Sequence, residues 1–132
     1  PGTAFITDAG YYMNLPDLDF IPGAAVMTRV ISHPAKGVFT TDLGYKAIAS
    51  DPAGQRGYIV GLEDAVPIIH SEEHWAFRLE DESRIPAIGS CLYVVPTHIC
   101  PTTALYPEIL VAKEGQVADR WQVTARNRRI TY

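Results

Sequence analysis

The sequence predicts an all-β, mostly antiparallel domain, and three observations carry that prediction. Apolar side chains alternate with polar ones in short runs rich in Val, Ile, Tyr and Thr, the pattern of half-buried strands. Turn-forming residues separate the runs at short intervals, and almost no stretch keeps the 3.6-residue repeat of an amphipathic helix. Ten prolines fall between the apolar runs, where they punctuate strands and blunt edges. Many short strands with little helix bury their alternate side chains by curling into a barrel or folding into a sandwich.

In chain order the predicted strands lie in "AAVMTRVIS" (24–32), "GVFTTDLG" (37–44), "GYIVGLED" (57–64), "VPIIHSEEHWAFRLE" (66–80), "CLYVVP" (91–96), "EILVAKE" (108–114) and "QVADRWQVTAR" (116–126). "HPAKG" joins the first two and Glu114-Gly115 the last two, each supplying a glycine for the positive φ of a tight hairpin. One or two short helices are predicted, around "YKAIAS" and "TTALYPEI", the second limited by Pro107.

At 132 residues and 47% apolar composition, the chain is sized for one domain, residues 1–132, with a real core. Eleven basic against fifteen acidic residues give a formal charge of −4. There is no Lys/Arg block to track a phosphate backbone, so no nucleic-acid partner is expected. No apolar run approaches the ~20 residues needed to span a bilayer, and no signal-peptide pattern is visible. No membrane partner and a cytoplasmic location are the expectation. Two cysteines make no disulfide framework, which leaves free, ligating or catalytic thiols or a single Cys91–Cys100 bridge. "PGTAFITDAG" opens at Pro1 without a methionine and runs straight into strand-like sequence, as in a piece of a longer protein.

The densest chemistry lies in "PTHICPT" (96–102). In extended backbone, residues two apart share a face, so His98 and Cys100 can converge on one point. Imidazole and thiolate suit Zn²⁺. Two ligands leave positions open for water or substrate, as in a catalytic rather than a structural site. The pair alone reads more readily as a plain surface or turn feature than as a metal site. In "SEEHW" (71–75), a strand puts Glu72 and His74 on one face and Glu73 on the other. These residues read either as a solvated face beside a core Trp75, or as a carboxylate orienting a histidine behind a metal.

Lys46, one of three lysines, lacks neighbours that would depress its pKa as a Schiff-base lysine requires, so a structural role is expected. His33 and His70 read as packing residues, and Cys91 as a small buried hydrophobe. Arg120, Arg126, Arg128 and Arg129 in "RWQVTARNRRITY" could hold a phosphate or carboxylate, or form a solvated or subunit-facing strand.

In this order, "DAGYY", "RVISHPAKGVFTTDLGYKAIASDP", "SEEHW", "VVPTHICPTTALYPEILV" and "DRWQVTARNR" resemble the C-terminal domain of the D-threonine aldolase and D-serine dehydratase-like family. That family belongs to the alanine racemase-like pyridoxal phosphate enzymes, in which an N-terminal (β/α)₈ barrel holds the cofactor and a C-terminal β-barrel domain completes the active site. The resemblance implies that His98 and Cys100 are ligands of a divalent metal, zinc or manganese. Cysteine at the second position looks like the zinc-dependent dehydratase branch, whereas "CPTTALYP" and "WQVTARNR" look like the D-threonine aldolase-like members. "SEEHW" is similar to a family segment S-E-E-H-G with Trp75 replacing the glycine; the similarity carries no catalytic role to Glu73 or His74, which stay candidates for the active-site face or for support behind a metal.

The cofactor lysine of the family lies in the barrel, so Lys46 is not expected to bind the cofactor. A barrel of about 250 residues has no room in this chain, and the isolated domain is expected to be inactive. The resemblance therefore implies the C-terminal part of a homodimeric, metal- and pyridoxal phosphate-dependent lyase. Its substrates would be small D-β-hydroxy amino acids, cleaved by retro-aldol chemistry, with dehydration of D-serine or D-3-hydroxyaspartate as the alternative. A non-catalytic β-domain that binds a ligand or protein partner is the remaining reading.

Overall fold

The structure, a computed structural model, describes residues 3–129. Pro1, from which a cut start was inferred, and the last three residues of the arginine-rich tail lie outside that range. The predicted β architecture is present. β1 (Val26–Ala35) and β2 (Val38–Thr41) form a hairpin across Lys36-Gly37, with Gly37 at φ 72°. β3 (Gly57–Ile59), β4 (Val66–His70), β5 (Trp75–Arg78) and β6 (Cys91–Pro96) complete a six-stranded sheet in the order β3-β6-β1-β2-β5-β4. Every pairing in it is antiparallel.

β1 serves both halves of the sheet: Val26–Arg29 pair with β6, and Val30–Ala35 with β2. Register shifts on either side of Ser32 bend the strand, as bulges do, and the sheet curls into a half barrel. It stays open between its edges β3 and β4. β7 (Glu108–Lys113) and β8 (Gln116–Gln122) stand apart as a separate hairpin turning through Glu114 and Gly115, both at positive φ.

Inward residues of the curled sheet build one core. Phe39 stacks on Phe77 with ring centroids 5.5 Å apart, and Trp75 lies 4.5 Å from Phe77. Val30, Leu43, Ile48, Ile59, Leu79 and Val94 close around these rings. The predicted core role of Trp75 holds, with the side chain 2% exposed.

Four local expectations are corrected. The long run 66–80 is two strands, because Ser71 donates from both its backbone amide and its hydroxyl to the His74 carbonyl and closes a tight turn. Glu72, Glu73 and His74 therefore sit on a turn, where strand alternation does not apply. Cys91 is exposed and Cys100 is free, so neither the buried thiol nor the bridge is formed. Cys91 begins β6 facing outward, and Val94 takes the core position. "YKAIAS" makes a turn rather than a helix, with Ala47 and Ile48 both donating to the Gly44 carbonyl. Two helices appear where none was predicted, α1 (Thr3–Ile6) and α2 (Ala9–Asn14), while α3 (Ile99–Thr103) starts ahead of the predicted "TTALYPEI". Among the described residues no helix is long and apolar enough to cross a membrane.

Candidate metal and active-site loop

β6 ends at Pro96, and the next four residues, Thr97 to Cys100, carry the chain into α3. His98 has extended backbone, φ −134° and ψ 109°, and is the residue preceding the helix. Cys100 is already helical, so the expected same-face strand geometry of the pair does not apply. Both residues instead belong to one tightly fastened loop. Thr97 donates its amide to the Arg56 carbonyl at 2.8 Å and its hydroxyl to the Gln55 carbonyl at 2.7 Å. Thr102 donates its hydroxyl back to the His98 carbonyl at 2.9 Å and accepts from the Ala49 amide at 3.2 Å.

The N-terminal segment holds the other side of the loop. Asp8, 2% exposed, accepts from the Tyr11 amide through Oδ1 at 3.0 Å and from the Ile99 amide through Oδ2 at 2.9 Å. One carboxylate thus satisfies free amides at the starts of both α2 and α3, a capping role suited to aspartate. Gly10 donates its amide to the Thr97 carbonyl at 3.1 Å, and a Cβ at this position would lie 2.6 Å from that oxygen. Thr3 Oγ1 lies 3.2 Å from Cys100 Sγ. Sequence reasoning missed Thr3 and Asp8. The usable signal was the aspartate of "DAGYY", placed where a helix N-cap would stand.

His98 Nδ1 is 4.0 Å from Asp51 Oδ2, which leaves Nε2 as the nitrogen free of that carboxylate. Among the described residues, no three His, Cys, Asp or Glu side chains form a group able to hold a metal. His98 and Cys100 carry the nitrogen and sulfur donor types that suit zinc.

Glu72 and Glu73 are drawn elsewhere, with both carboxylates pairing to Lys46 Nζ at 2.9 and 2.8 Å. The turn reaches Lys46 because Tyr45 and Lys46 donate their amides to the Ser71 and Glu72 carbonyls. That approach requires Gly44, since a Cβ there would sit 2.0 Å from the Glu72 oxygen. The hydrogen bonds to Glu73 and then Glu72 raise the Lys46 pKa above its ordinary value, opposite to the depression a Schiff-base lysine needs. Among the described residues, no hydrogen bond or ion pair joins Glu72, Glu73 or His74 to His98 or Cys100.

His70 packs 4.6 Å from the Trp75 ring, with Nε2 3.2 Å from the Leu43 carbonyl, in line with its predicted packing role. Burial lowers its pKa, Leu43 opposes that shift and the Arg56 charge adds to it. His33, in β1, bonds through Nε2 to the Pro86 carbonyl at 2.9 Å.

Comparison with known proteins follows the same lines. The family model described as "Putative serine dehydratase domain" matches residues 23–112. The chain belongs to that family. Its relatives include an uncharacterised protein of Mycobacterium tuberculosis (strain ATCC 25618 / H37Rv), 30% identical over 115 residues, a match covering 85% of this chain and 86% of that protein. A D-threonine aldolase of Arthrobacter sp is 30% identical over 130 residues, covering 95% of this chain but 33% of the aldolase. The crystal structure of D-threonine aldolase from Filomicrobium marinum superposes with a TM-score of 0.86 at 26% identity, over 96% of this serine dehydratase-family domain and 35% of that chain. The domain thus spans about a third of each aldolase and most of the mycobacterial protein.

Proposed function

We propose that this domain is the metal-binding C-terminal part of a pyridoxal phosphate-dependent lyase that cleaves D-β-hydroxy amino acids by retro-aldol chemistry. The observation that carries the reading is the loop bearing His98 and Cys100, set in a fold that superposes over nearly its whole length on a D-threonine aldolase. When bound on the barrel, pyridoxal phosphate supplies an electron sink for charge developing at Cα. A divalent metal bound at the loop supplies Lewis acidity toward the substrate's β-hydroxyl.

The chain's own residues then have defined tasks. His98 presents an imidazole nitrogen and Cys100 presents Sγ. Thr3, hydrogen-bonded to Cys100, fixes where the sulfur lies. Retro-aldol cleavage removes the hydroxyl proton and breaks Cα–Cβ, giving glycine and an aldehyde. Dehydration instead removes the Cα proton and expels hydroxide, leading to a keto acid and ammonia. It is the second reading, favoured by a cysteine at position 100. Glu73 and His74 are proposed to face the active site only as part of the wider surface around the loop, because Glu73 is engaged by Lys46.

Exposed apolar side chains support a covering partner. Phe5 is 79% and Ile21 82% exposed on the segment that precedes β1, and the cofactor barrel, in a homodimer, is the surface proposed to cover them. Zinc and cobalt titrations of the purified chain test the metal assignment. One equivalent should bind, with a thiolate-to-cobalt absorption band, and His98→Ala and Cys100→Ala should each abolish both. Metal binding that neither substitution changes would refute it and leave a non-catalytic β-domain. In the protein that carries the barrel, D-threonine should yield acetaldehyde and glycine; a keto acid and ammonia would select the dehydratase reading.

A further inference from the structure

The six-stranded sheet stays open between β3 and β4, and a cavity of about 190 Å³ lies at that seam. Gln55 and Arg56, just ahead of β3, form one wall; Ile68, Ile69 and His70 of β4 form the other, with buried Trp75 behind them. The register of β4 against β5 slips between Pro67 and Ile69, and a bulge of this kind re-aims the side chains beside it. Ile68 and Ile69 are exposed there, apolar surface that a ligand would cover. No acidic side chain lines the cavity. Arg56 donates from Nη1 to the Ser50 and Pro52 carbonyls. Those bonds fix the guanidinium without cancelling its charge, and they leave the Nε–Nη2 edge free of them. Among the described residues, Arg56 has no carboxylate within ion-pair distance. Its charge is felt at His70, where burial and then Arg56 lower the pKa.

In a chain of net charge −4, an uncompensated, half-buried guanidinium beside two isoleucines calls for an anion whose body is apolar. A carboxylate matches the paired N–H groups of the free edge bidentately. Phosphate does not suit the cavity, because its remaining oxygens would face Ile68 and Ile69 without hydrogen-bond donors. We infer that this seam cavity, with Arg56 as its anchor, is a binding site for a small monocarboxylate carrying a short, branched apolar body. The carboxylate sits on the Arg56 edge, and the apolar body lies against Ile68, Ile69 and Trp75. Neither His98 nor Cys100 takes part, so the site stands or falls separately from the proposed metal loop.

NMR titration of the purified chain, without metal, tests the site through the Arg56 Nε–H and Trp75 indole N–H resonances. Isobutyrate should shift both saturably. Isobutyramide keeps the shape without the charge, and acetate keeps the charge with two carbons fewer; each should bind at least about tenfold more weakly. Arg56→Gln should abolish the shifts. Because that variant also loses the bonds to Ser50 and Pro52, Ile69→Glu serves as a second. It places a competing carboxylate opposite Arg56 from an exposed strand position, and should weaken isobutyrate at least about tenfold with the far-UV circular dichroism unchanged. The inference is overturned if isobutyramide, acetate or inorganic phosphate binds as tightly as isobutyrate, or if isobutyrate binding survives both substitutions unchanged. The absence of any saturable shift overturns it equally.

Discussion

Replacing Asp8 tests how the loop is held. Asp8→Ala removes the side-chain cap of α2, a loss of ~0.5–2 kcal/mol. It also leaves the buried Ile99 amide without its acceptor, a further ~1–3 kcal/mol. Relief from burying a carboxylate works in the opposite direction, so the net cost is set at roughly 2–4 kcal/mol. At roughly 4 °C per kcal/mol for a chain of this size, the thermal midpoint should fall by roughly 8–16 °C.

Asp8→Asn keeps one acceptor oxygen but turns an NH₂ group toward one of the two amides, so its cost should fall between wild type and alanine. Urea unfolding measures the total. Hydrogen exchange localises it, because the Ile99 amide should lose protection beyond what the global change explains. An alanine variant within ~0.5 kcal/mol of wild type, or one whose Ile99 exchange changes only with global stability, would refute the claim that Asp8 fastens the loop.

Three further outcomes follow from the geometry. His70 has a depressed pKa in the fold, so the unfolded chain takes up its proton first; stability is full above the ordinary histidine pKa of 6.5 and is lost as pH falls through it. Denaturant midpoints at about pH 7.5 and 5.5 should therefore diverge more for wild type than for His70→Gln. Trp75→Gly, which restores the residue of the similar family segment, should cost at least ~3–5 kcal/mol because it empties the centre of the aromatic core, and urea unfolding reads it directly. Lys46→Ala should barely move the midpoint, since both of its ion pairs are exposed. Borohydride trapping with pyridoxal phosphate should label Lys46 no more than Lys36 or Lys113, because its ammonium is held protonated.

Sheet and core were legible because alternation reports burial directly: Trp75 stands out in the sequence as it does in the fold. The His98–Cys100 pair was legible as donor chemistry, but its support was not. Its fastening runs from Thr3, Asp8 and Gly10 to residues some ninety positions away, and no local periodicity encodes such a contact. The "SEEHW" turn was misread for a related reason. Apolar residues on both sides fit one long strand, and only the hydrogen bonds of Ser71 to the His74 carbonyl close it into a turn. Cys91 fits a core pattern by type, yet its place at the first residue of β6 turns it outward.

The matched family segment, 23–112, contains the whole core cluster and both proposed metal ligands, but neither Asp8 nor Arg126 and Arg128. Folding and site geometry should therefore separate by deletion. A chain starting at residue 23 keeps Val30 through Val94 and every pairing of the six-stranded sheet, so its far-UV circular dichroism should retain the β signature and its unfolding should stay cooperative. It loses the carboxylate on the Ile99 amide, the Gly10 bond to Thr97 and the Thr3 contact to Cys100. The Ile99 amide should exchange freely, and zinc should bind at least about tenfold more weakly than to the full chain, the equivalent of one lost preorganising contact. If the shortened chain held zinc as tightly as the full chain, the loop's order would come from the sheet and its threonine bonds alone, and the N-terminal segment would have no part in the site.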